Sequence, residues 1–525
     1  MIPPMRVVAL GALAVLLGSA LMSATSSAGE TLYGTAAQAS SRSAILWTRS
    51  DAAGPVSCDV ATDRSFKHIV TDSCGGTADE ATDLTVKSTV TGLKPSTRYF
   101  YRFGPADLMG FPLQGTFKTL PVKSTATPLE LSFTGDSDIL WNTPPEGDTQ
   151  PPFAVLDRIR EEHPNMFVYM GDTIYSDSET NAPTALTFDE KAQKYKDNRI
   201  AATQRLLRST STWAIWDDHE VINDFDGAQL AQDDPALLTA GRDAFNAYWP
   251  VHEKRYYRKV PFGKNADMFF LDERTYRTQS ADEADSPCRD KNGTLDKAPT
   301  MPDSDRAQLG YPPADPVCVA HVNDLSRTML GATQLQWLEN ALLKSKAKWK
   351  LIMNEVVISQ LFVIPYDRWD GYSAERTALL QFIADHHIKN VVFLTTDIHA
   401  NFASRVYVDI TAEGSKPVAY EFATGPIQTC TLKCEIEALT TQGAGELFKN
   451  FLISNHLIDV DCVNFDSFGY DDLSIPATGS ALTSTFKTDE PARGGGGKLM
   501  TDVSGNSPKT CKPITLKSGA FTPSR

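Results

Sequence analysis

The stretch FVYMGDTIYSD, residues 167–177, decides how the chain is interpreted. Residues 167–170 are four consecutive apolar residues and predict a buried strand. After a glycine turn, Asp172, Tyr175 and Asp177 fall within one short loop. A carboxylate and a phenol three residues apart can bind one metal ion, and the second carboxylate oxygen can bridge to another ion. A carboxylate shared by two ions is what a two-metal hydrolytic site requires.

The same arrangement recurs along the chain. The short apolar runs LELSF, WAIW, WKLIM and VVFL are each followed by side chains that can bind a metal ion. Ligands of α/β sheets bind beyond the carboxyl ends of the strands. A single Asp after a strand is a common turn residue, but five such strand ends predict one convergent site. The side chains at these ends are Asp136, Asp138, Asp172, Tyr175, Asp217, Asp218, His219, Glu220, Asn354, Asp397 and His399.

Composition limits the class of partner. The chain has 525 residues and a formal net charge of −15, with 41% hydrophobic and 22% charged residues, as is usual for a globular protein. The negative charge argues against binding to nucleic acid or to anionic membranes. An anionic substrate would need local positive charge, which bound metal ions supply. We expect a monomer with no nucleic-acid partner.

The amino terminus has the pattern of a secretory signal peptide. Arg6 precedes the apolar run 7–22, and small residues predict cleavage near Gly29, which makes residues 1–28 the signal. The apolar run is shorter than the ~20 residues of a spanning helix, which disfavours an uncleaved membrane anchor. We therefore expect Sec export to the periplasm or the medium, with no transmembrane anchor.

Eight cysteines in an exported chain predict disulfides. Cys58–Cys74 and Cys288–Cys318 are predicted as local pairs. The partners of the other four are left open, and so is the alternative that some cysteines are buried free thiols. These four are Cys430, Cys434, Cys462 and Cys511.

Residues 29–120 alternate polar and apolar side chains between turn signals, which predicts an all-β domain. The segment TVTGLKPSTRYFYRF, residues 89–103, is similar to a fibronectin-III or Ig-like sandwich, in which a tyrosine such as Tyr99 or Tyr101 ties down a corner. Residues 121–128 are interpreted as a linker. The predicted strands are 44–48, 56–61, 85–90 and 98–103.

From residue 129 to 525 the pattern changes to apolar runs that alternate with helical stretches, which predicts an α/β domain. Helices are expected at 188–208 and 333–344, the second with a capping box between Thr333 and Gln336. An irregular insertion is expected at 278–330 and a flexible glycine loop at 492–498.

The ordered set Asp, GDxxY, [N/D]HE and [D/H]xH resembles the calcineurin-like metallophosphoesterases and purple acid phosphatases. The resemblance is strongest to the PhoD-like alkaline phosphatase family, because WDDHEV stands at 216–221. It covers most of residues 30–475 and implies a four-layer metallophosphoesterase β-sandwich flanked by helices, behind an N-terminal β-sandwich. Supporting matches are LDERTYR at 271–277, LGATQLQWL at 330–338, RWDGYSAER at 368–376 and DIHANF at 397–402.

The resemblance also implies two metal sites. The iron-type site would contain Asp136, Asp172, Tyr175 and His399, and the second site Asp172, Asp218, Asn354 and Asp397. Family members often have Cys where this chain has Asp136, which leaves the identity of the first ion open. The family precedent is Fe(III) with Ca²⁺. Oxygen ligands also suit Mn²⁺ or Mg²⁺, and Zn²⁺ is an alternative that the single histidine disfavours.

The expected reaction is hydrolysis of a phosphate mono- or diester by a metal-bound hydroxide, at alkaline pH. His219, beside Asp218, is predicted to donate a proton to the leaving group or to bind phosphate. Trp369, Asp370 and Tyr372 are expected to line the mouth of the site. Ser137 is interpreted as a turn residue. Asp138, Asp177, Asp217 and Glu220 are interpreted as supporting groups.

Two alternatives stay open at this point. One is a phospholipase D-like phosphodiesterase that acts on phospholipid headgroups, which the resemblance also allows. The other is a binding protein on an inactive phosphoesterase scaffold, which the intact set of candidate ligands disfavours.

Overall fold

The computed structural model describes residues 34–104, 113–145, 148–178, 180, 182–251, 255–488 and 511–519. The predicted signal peptide at 1–28 and the predicted glycine loop at 492–498 lie outside these residues.

The strands of the described residues are β1 (Thr35–Ala39), β2 (Ser43–Arg49), β3 (Gly54–Ala61), β4 (Ile69–Ala78), β5 (Thr85–Thr91), β6 (Arg98–Phe103), β7 (Leu113–Lys118), β8 (Leu129–Thr134), β9 (Met166–Met170), β10 (Ser211–Ile215), β11 (Arg258–Phe262), β12 (Ala266–Phe270), β13 (Trp349–Met353), β14 (Val391–Thr395), β15 (Asn401–Val406), β16 (Ala419–Ala423), β17 (Val460–Asn464), β18 (Gly469–Ile475), β19 (Ala481–Thr488) and β20 (Ile514–Lys517).

The α-helices are α1 (Ala154–Glu162), α2 (Phe188–Asn198), α3 (Ala201–Leu207), α4 (Gly227–Asp233), α5 (Pro235–Tyr248), α6 (Asp303–Gln308), α7 (Pro316–Val322), α8 (Gly331–Lys344), α9 (Ser373–Asp385), α10 (Leu432–Leu439) and α11 (Ala444–Ser454). Short 3₁₀ helices lie at Glu80–Thr82 and Trp369–Tyr372.

Two large sheets form the centre of the molecule. A nine-stranded sheet has the order β20-β19-β18-β8-β9-β10-β1-β2-β5, and a seven-stranded sheet has the order β11-β12-β13-β14-β16-β15-β17. The strands β8, β9 and β10 pair in parallel, as do β12, β13, β14 and β16. Parallel strands present their carboxyl ends at one edge of a sheet, so the loops that follow them can meet there.

The two sheets pack face to face. Strand β9 shows how: Met166, Val168 and Met170 lie in the core between the sheets, whereas Phe167 and Tyr169 point into the core under the helices. All five residues are buried, which is why this strand is a continuous apolar run. Helices α1–α5 contribute to the outer core of the first sheet, and α8 and α9 to that of the second. The α/β class and the helix–sheet–sheet–helix layering agree with the prediction.

The four strands predicted in the N-terminal region are present, as β2, β3, β5 and β6. A four-stranded sheet of order β4-β3-β6-β7 shares a core with β1 and β2. Tyr99 makes the predicted corner contact, because its hydroxyl accepts a hydrogen bond from Lys94 N at 2.8 Å.

This region is also joined to the rest of the chain by backbone pairing. The strand β1 lies parallel to β10, with Ala37 opposite Ser211, so the nine-stranded sheet runs through both parts. The Trp47 indole donates to Ala247 O at 2.7 Å and belongs to the core under the helices of the first sheet. A linker at 121–128 is therefore not the only connection between the two regions.

The helix predicted at 188–208 is two helices. It ends at Asn198 because that side chain donates to Ser137 O (2.8 Å) and Thr173 O (3.0 Å) in the neighbouring loops. Ile200 is extended, with ψ 172°, and α3 begins after it. Tertiary hydrogen bonds override the helical propensity of the sequence here.

The capping box predicted between Thr333 and Gln336 is wrong, because α8 begins two residues earlier, at Gly331. The first turn is instead held from outside the helix. Thr328 Oγ1 accepts from Gly331 N (2.7 Å), and Glu375 accepts from Leu330 N (3.1 Å). The predicted insertion at 278–330 contains two short helices, α6 and α7.

All eight cysteines form disulfides, so the free-thiol alternative is wrong. The two predicted local pairs, Cys58–Cys74 and Cys288–Cys318, are present. The pairs that the sequence left open are Cys430–Cys434 and Cys462–Cys511.

Candidate metal centre

Four predicted ligands have an unusual backbone conformation. Asp136, Asp172, Asp397 and His399 have φ values of 62°, 47°, 64° and 50°, in the left-handed region. This region costs a residue with a side chain about 1–3 kcal/mol, and such residues cluster at functional sites. Each lies just after β8, β9 or β14, so the turns at three strand ends are specialised in the same way.

The residues predicted for the iron-type site lie close together in the structure. One ligand atom each from Asp136, Asp172 and His399 lies within 4.8 Å of the others. The Tyr175 hydroxyl lies 2.8 Å from His399 Nε2. The loops after β8 and β9 of the first sheet therefore meet the loop after β14 of the second sheet.

A second group adjoins the first and shares a residue with it. Ligand atoms of Asp172, Asp218 and His219 lie within 4.8 Å of one another, and so do those of Asp217, Asp218 and Asp397. Asp172 therefore stands between two sets of donors, as a bridging carboxylate must. Asn354, also predicted for the second site, is fully buried at the end of β13, where its Oδ1 accepts from Trp369 Nε1 at 3.2 Å.

The donors fit bound cations. Among the described residues, Asp136 Oδ2, Asp217 Oδ2 and Asp218 Oδ1 are buried oxygens without a hydrogen-bond partner. An unpaired buried carboxylate oxygen is costly, and a cation would remove that cost. Carboxylates with a phenol and imidazoles make an oxygen-rich donor set, which hard cations prefer.

The protonation of the acids supports the same conclusion. Burial raises the pKa of Asp136 to about 7 and that of Asp217 to about 8. Burial, with the neighbouring carboxylates, also raises the pKa of Asp172 and Asp397 well above the ordinary value. So many acids cannot all ionise in one small buried volume unless positive charge is brought in.

Arg274 is a residue of the centre to which the sequence analysis gave no role. It is fully buried after β12 and contacts Asp217, Asp367 (2.6 Å) and Asp397 (3.0 Å). These carboxylates raise its pKa in spite of burial. The signal was available in LDERTYR, because β12 is a sixth apolar run that ends in charged residues.

His219 lies beside this group in a defined orientation. Its ring stacks on Tyr175, with centroids 3.9 Å apart, and its Nδ1 lies 2.7 Å from Asp177 Oδ1. Burial lowers the pKa of His219, but Asp218 and Asp177 outweigh burial and raise it to about 9. The imidazole is therefore held in its protonated form at neutral pH.

The residues interpreted as supports have clear partners. Asp177 holds His219, and Asp217 contacts Arg274. Glu220 accepts from the backbone of Thr173 (2.6 Å) and Asp217 (2.8 Å).

Asp138 and Ser137 bond within and between the loops of the centre. Asp138 accepts from Leu140 N at 2.9 Å and from the Ser178 hydroxyl. Ser137, interpreted as a turn residue, donates to Asp172 O at 3.1 Å in the loop after β9.

Glu435 is a second residue without an assigned role. It lies on α10, and its Oε1 is 2.5 Å from His399 Nδ1. A carboxylate at the far nitrogen orients a metal-binding imidazole and raises its basicity. Nothing in the spacing of the sequence connects residue 435 to residue 399.

Trp369, Asp370 and Tyr372 are at most 5% exposed and bond to protein atoms. Trp369 donates to Asn354 and to Glu273 (2.9 Å). Asp370 accepts from the backbone of Leu361 (2.8 Å), and Tyr372 donates to Thr278 O (2.7 Å). The structure does not place these three side chains at an open mouth, and their binding of substrate stays a prediction.

Comparison with known proteins agrees with the fold. The model of the family described as "PhoD-like phosphatase" matches residues 145–482, more than half of the chain. The model described as "PhoD-like phosphatase, N-terminal domain" matches residues 34–121. A solved structure of PhoD is similar with a TM-score of 0.69 and 22% identity, covering 88% of this chain and 87% of that one.

Two relatives are similar in sequence. Alkaline phosphatase D of Bacillus subtilis (strain 168) is 26% identical over 428 residues, which is 73% of this chain and 66% of that protein. The match thus spans just under two thirds of that relative. Purple acid phosphatase 23 of Arabidopsis thaliana is 31% identical over 88 residues, 17% of each chain.

Two facing sheets with an acidic centre at the ends of their parallel strands define the class of metal-dependent phosphatases. Within that class the chain belongs to the PhoD-like phosphatase family.

Proposed function

We propose that this protein hydrolyses phosphate esters at the centre formed by Asp136, Asp172, Asp218, Asp397 and His399. One observation carries the proposal: acids from separate strand ends converge, and buried oxygens of Asp136 and Asp218 have no protein partner. A phosphate ester repels an attacking hydroxide, so the site must supply positive charge, and this donor set is suited to hold it.

The ligands proposed for the first ion are Asp136, Asp172, Tyr175 and His399, and those for the second are Asp172, Asp218, Asn354 and Asp397. Fe(III) with Ca²⁺ is the proposed pair, because a phenol suits Fe(III) and carboxylates suit Ca²⁺. When bound, these ions would neutralise the phosphoryl oxygens and lower the pKa of a water molecule.

The protein groups have separate roles in the proposal. The His219 ring, fixed by Asp177 and by stacking on Tyr175, holds a proton that it can give to the leaving oxygen. In the metal-free protein the pKa of His219 is raised to about 9, so the ring carries a proton in neutral solution. Asp218 serves that role indirectly, because in the metal-free protein its charge helps to raise the pKa of His219. Arg274 places positive charge among Asp217 and Asp397.

The organisation of the chain completes the proposal. We propose a signal peptide at 1–28, an Ig- or fibronectin-III-like region at 29–120, a linker at 121–128 and a catalytic domain at 129–525, in an exported monomer. Four disulfides support an oxidising compartment. Among the described residues, no helix has the length and apolar content that crossing a bilayer needs.

The proposal is tested by metal analysis and by activity. Purified protein should contain iron and calcium and should show a visible absorption band from a Tyr175–Fe(III) centre, which Tyr175→Phe abolishes. It should hydrolyse p-nitrophenyl phosphate or bis-p-nitrophenyl phosphate. Release of choline from phosphatidylcholine alone would favour the phospholipase D-like alternative. No hydrolysis of any ester with both metals supplied would refute the proposal in favour of the inactive scaffold.

A further inference from the structure

The helix α2 buries a stripe of polar side chains. Lys191, Tyr195 and Asn198 stand at positions i, i+4 and i+7 of this helix, so they share one face. Their side chains are buried, at 0%, 1% and 6% exposure. A buried helix face is normally apolar, because a buried polar group must find a hydrogen-bond partner. The partners of this stripe lie in the loops of the metal centre, which connects the helix to the proposed site.

Asn198 joins two of these loops. Its Nδ2 donates to Ser137 O at 2.8 Å and to Thr173 O at 3.0 Å. These acceptors directly follow Asp136 in the loop after β8 and Asp172 in the loop after β9. Both are carbonyl oxygens, so the NH₂ end of the side-chain amide must face them. One amide therefore holds the two turns that carry the first two proposed ligands.

The other two members of the stripe hold the same region. Lys191 Nζ donates to Ser176 Oγ at 2.9 Å and to Val221 O at 2.7 Å, and so joins the loop after β9 to the loop after β10. The Tyr195 hydroxyl lies 3.3 Å from Thr173 Oγ1. The loops after three neighbouring parallel strands are therefore attached to one face of one helix.

The two turns that Asn198 joins have a conformation that residues with a side chain rarely adopt. Asp136 and Asp172 have φ values of 62° and 47°. Such a conformation persists only where the surrounding structure holds it. Repulsion between neighbouring carboxylates also tends to drive the two turns apart when no cation is bound. Asn198 opposes both effects, and it does so without bringing a charge into the centre.

We propose that Asn198 is a positioning residue, which fixes the turns of Asp136 and Asp172 at the spacing that bound cations require. This inference rests on the proposed function, because it concerns the ligands of the same centre. Without the amide, the two turns relax to ordinary backbone conformations in part of the molecules. The apparent dissociation constant for a cation then rises in inverse proportion to the fraction that is still competent to bind.

A second buried asparagine supplies a matched control. Asn265 stands just before β12 and is 2% exposed. Its Nδ2 donates to three backbone carbonyl oxygens at 2.8–3.1 Å, those of Thr127, Pro476 and Ala477. It lies at the amino end of a parallel strand, whereas the metal centre lies at the carboxyl ends. Asn198→Ala and Asn265→Ala therefore remove similar hydrogen bonds from opposite edges of the sheets.

The probe is Mn²⁺, a divalent ion that accepts oxygen ligands, titrated by calorimetry into the full chain after a chelator has removed bound metal. Asn198→Ala should raise the dissociation constant for Mn²⁺ at least tenfold, or about 1.4 kcal/mol. Both variants should lower the melting temperature of the metal-free protein, but Asn265→Ala should bind Mn²⁺ as the wild type does. Equal Mn²⁺ affinity in the two variants would overturn the positioning role.

A further variant covers the case in which Asn198→Ala does not fold. Asn198→Gln keeps the amide donors on a side chain that is longer by one methylene, so it changes the spacing of the turns and not the number of donors. We expect it to fold and to bind Mn²⁺ at least threefold more weakly than the wild type. Wild-type affinity in Asn198→Gln would overturn the proposal.

Activity separates this inference from the function on which it rests. The substrate is p-nitrophenyl phosphate or bis-p-nitrophenyl phosphate, whichever the wild type hydrolyses. The Mn²⁺ concentration for half-maximal activity should rise at least tenfold in Asn198→Ala, and saturating Mn²⁺ should restore most of kcat. Activity that no Mn²⁺ concentration restores, with unchanged Mn²⁺ binding, would overturn the positioning role. Absence of hydrolysis in the wild type, with the difference in Mn²⁺ binding intact, would refute the proposed function and keep that role.

Discussion

At the scale of single residues, the centre depends on side chains that have more than one partner. Asp172 is the clearest case, because its carboxylate belongs to two donor groups and accepts from His219 N at 3.1 Å. Its φ of 47° shows that the backbone after β9 is bent into a rare conformation at this position. Loss of one such group affects both halves of the site.

Asp172→Asn should lower kcat/KM by about a thousandfold, ~4 kcal/mol in activation free energy, because an amide cannot bridge two cations with negative charge. Metal content measured by emission spectrometry should fall in parallel. The control is Asp189→Asn, an exposed position at the start of α2, which should behave as the wild type. Full activity in Asp172→Asn would show that the catalytic centre lies elsewhere.

Gly425 makes room for a proposed ligand. Its φ is 120°, and a Cβ built on it would lie 2.4 Å from Asp136 Oδ2. Gly425→Ala should therefore displace the Asp136 carboxylate and reduce metal content and activity at least tenfold. The control is Gly293→Ala. Gly293 has a positive φ of 82° and open space around it, so this variant should retain metal content and activity. Equal metal content in the two variants would contradict this role of Gly425.

At the scale of elements, α10 links two parts of the molecule. Thr431 caps its amino terminus, the Cys430–Cys434 disulfide fixes its first turn, and Glu435 reaches His399. The helix therefore positions an imidazole that belongs to a different strand end.

Glu435→Gln should weaken metal binding or activity by about 10- to 100-fold, because the amide is a poorer acceptor for the His399 N–H. The measurement is metal affinity by competition with a chelator, together with kcat/KM. Glu437→Gln on the same helix keeps an acceptor oxygen for Gly443 N and should change neither. A purely structural role of Glu435 would instead lower the melting temperature and leave metal affinity unchanged.

At the scale of the whole molecule, the N-terminal region and the α/β region share one sheet and one core. Trp47 lies fully buried in the core with Phe245 and Tyr248 of α5. Trp47→Ala should cost about 3–5 kcal/mol in the free energy of unfolding. Denaturant unfolding should still show a single transition, with its midpoint at a lower denaturant concentration than in the wild type. A separate early transition, with activity retained, would mean that the N-terminal region unfolds independently.

The charge of the centre predicts how stability changes with pH. Since burial raises the pKa of Asp136 to about 7, above its value of about 4 in the unfolded chain, the metal-free native state binds more protons between these values. Its stability should therefore fall as pH rises through that window. Bound cations replace those protons. The metal-loaded protein should therefore melt at a higher temperature than the chelated protein, and this difference should grow from about pH 4 to pH 7. A constant difference would contradict this coupling.

The sequence by itself determined the α/β class, nine of the twenty strands in the described residues and the metal-binding side chains at five strand ends. These are local properties, because each apolar run and the polar side chains that follow it are adjacent in the chain. Only the tertiary structure decided where the helix predicted at 188–208 breaks, because Asn198 bonds to loops distant in sequence. It also decided that β1 continues the central sheet, and that Arg274 and Glu435 contact the proposed ligands. Such contacts depend on how two sheets pack, and no spacing along one chain encodes that packing.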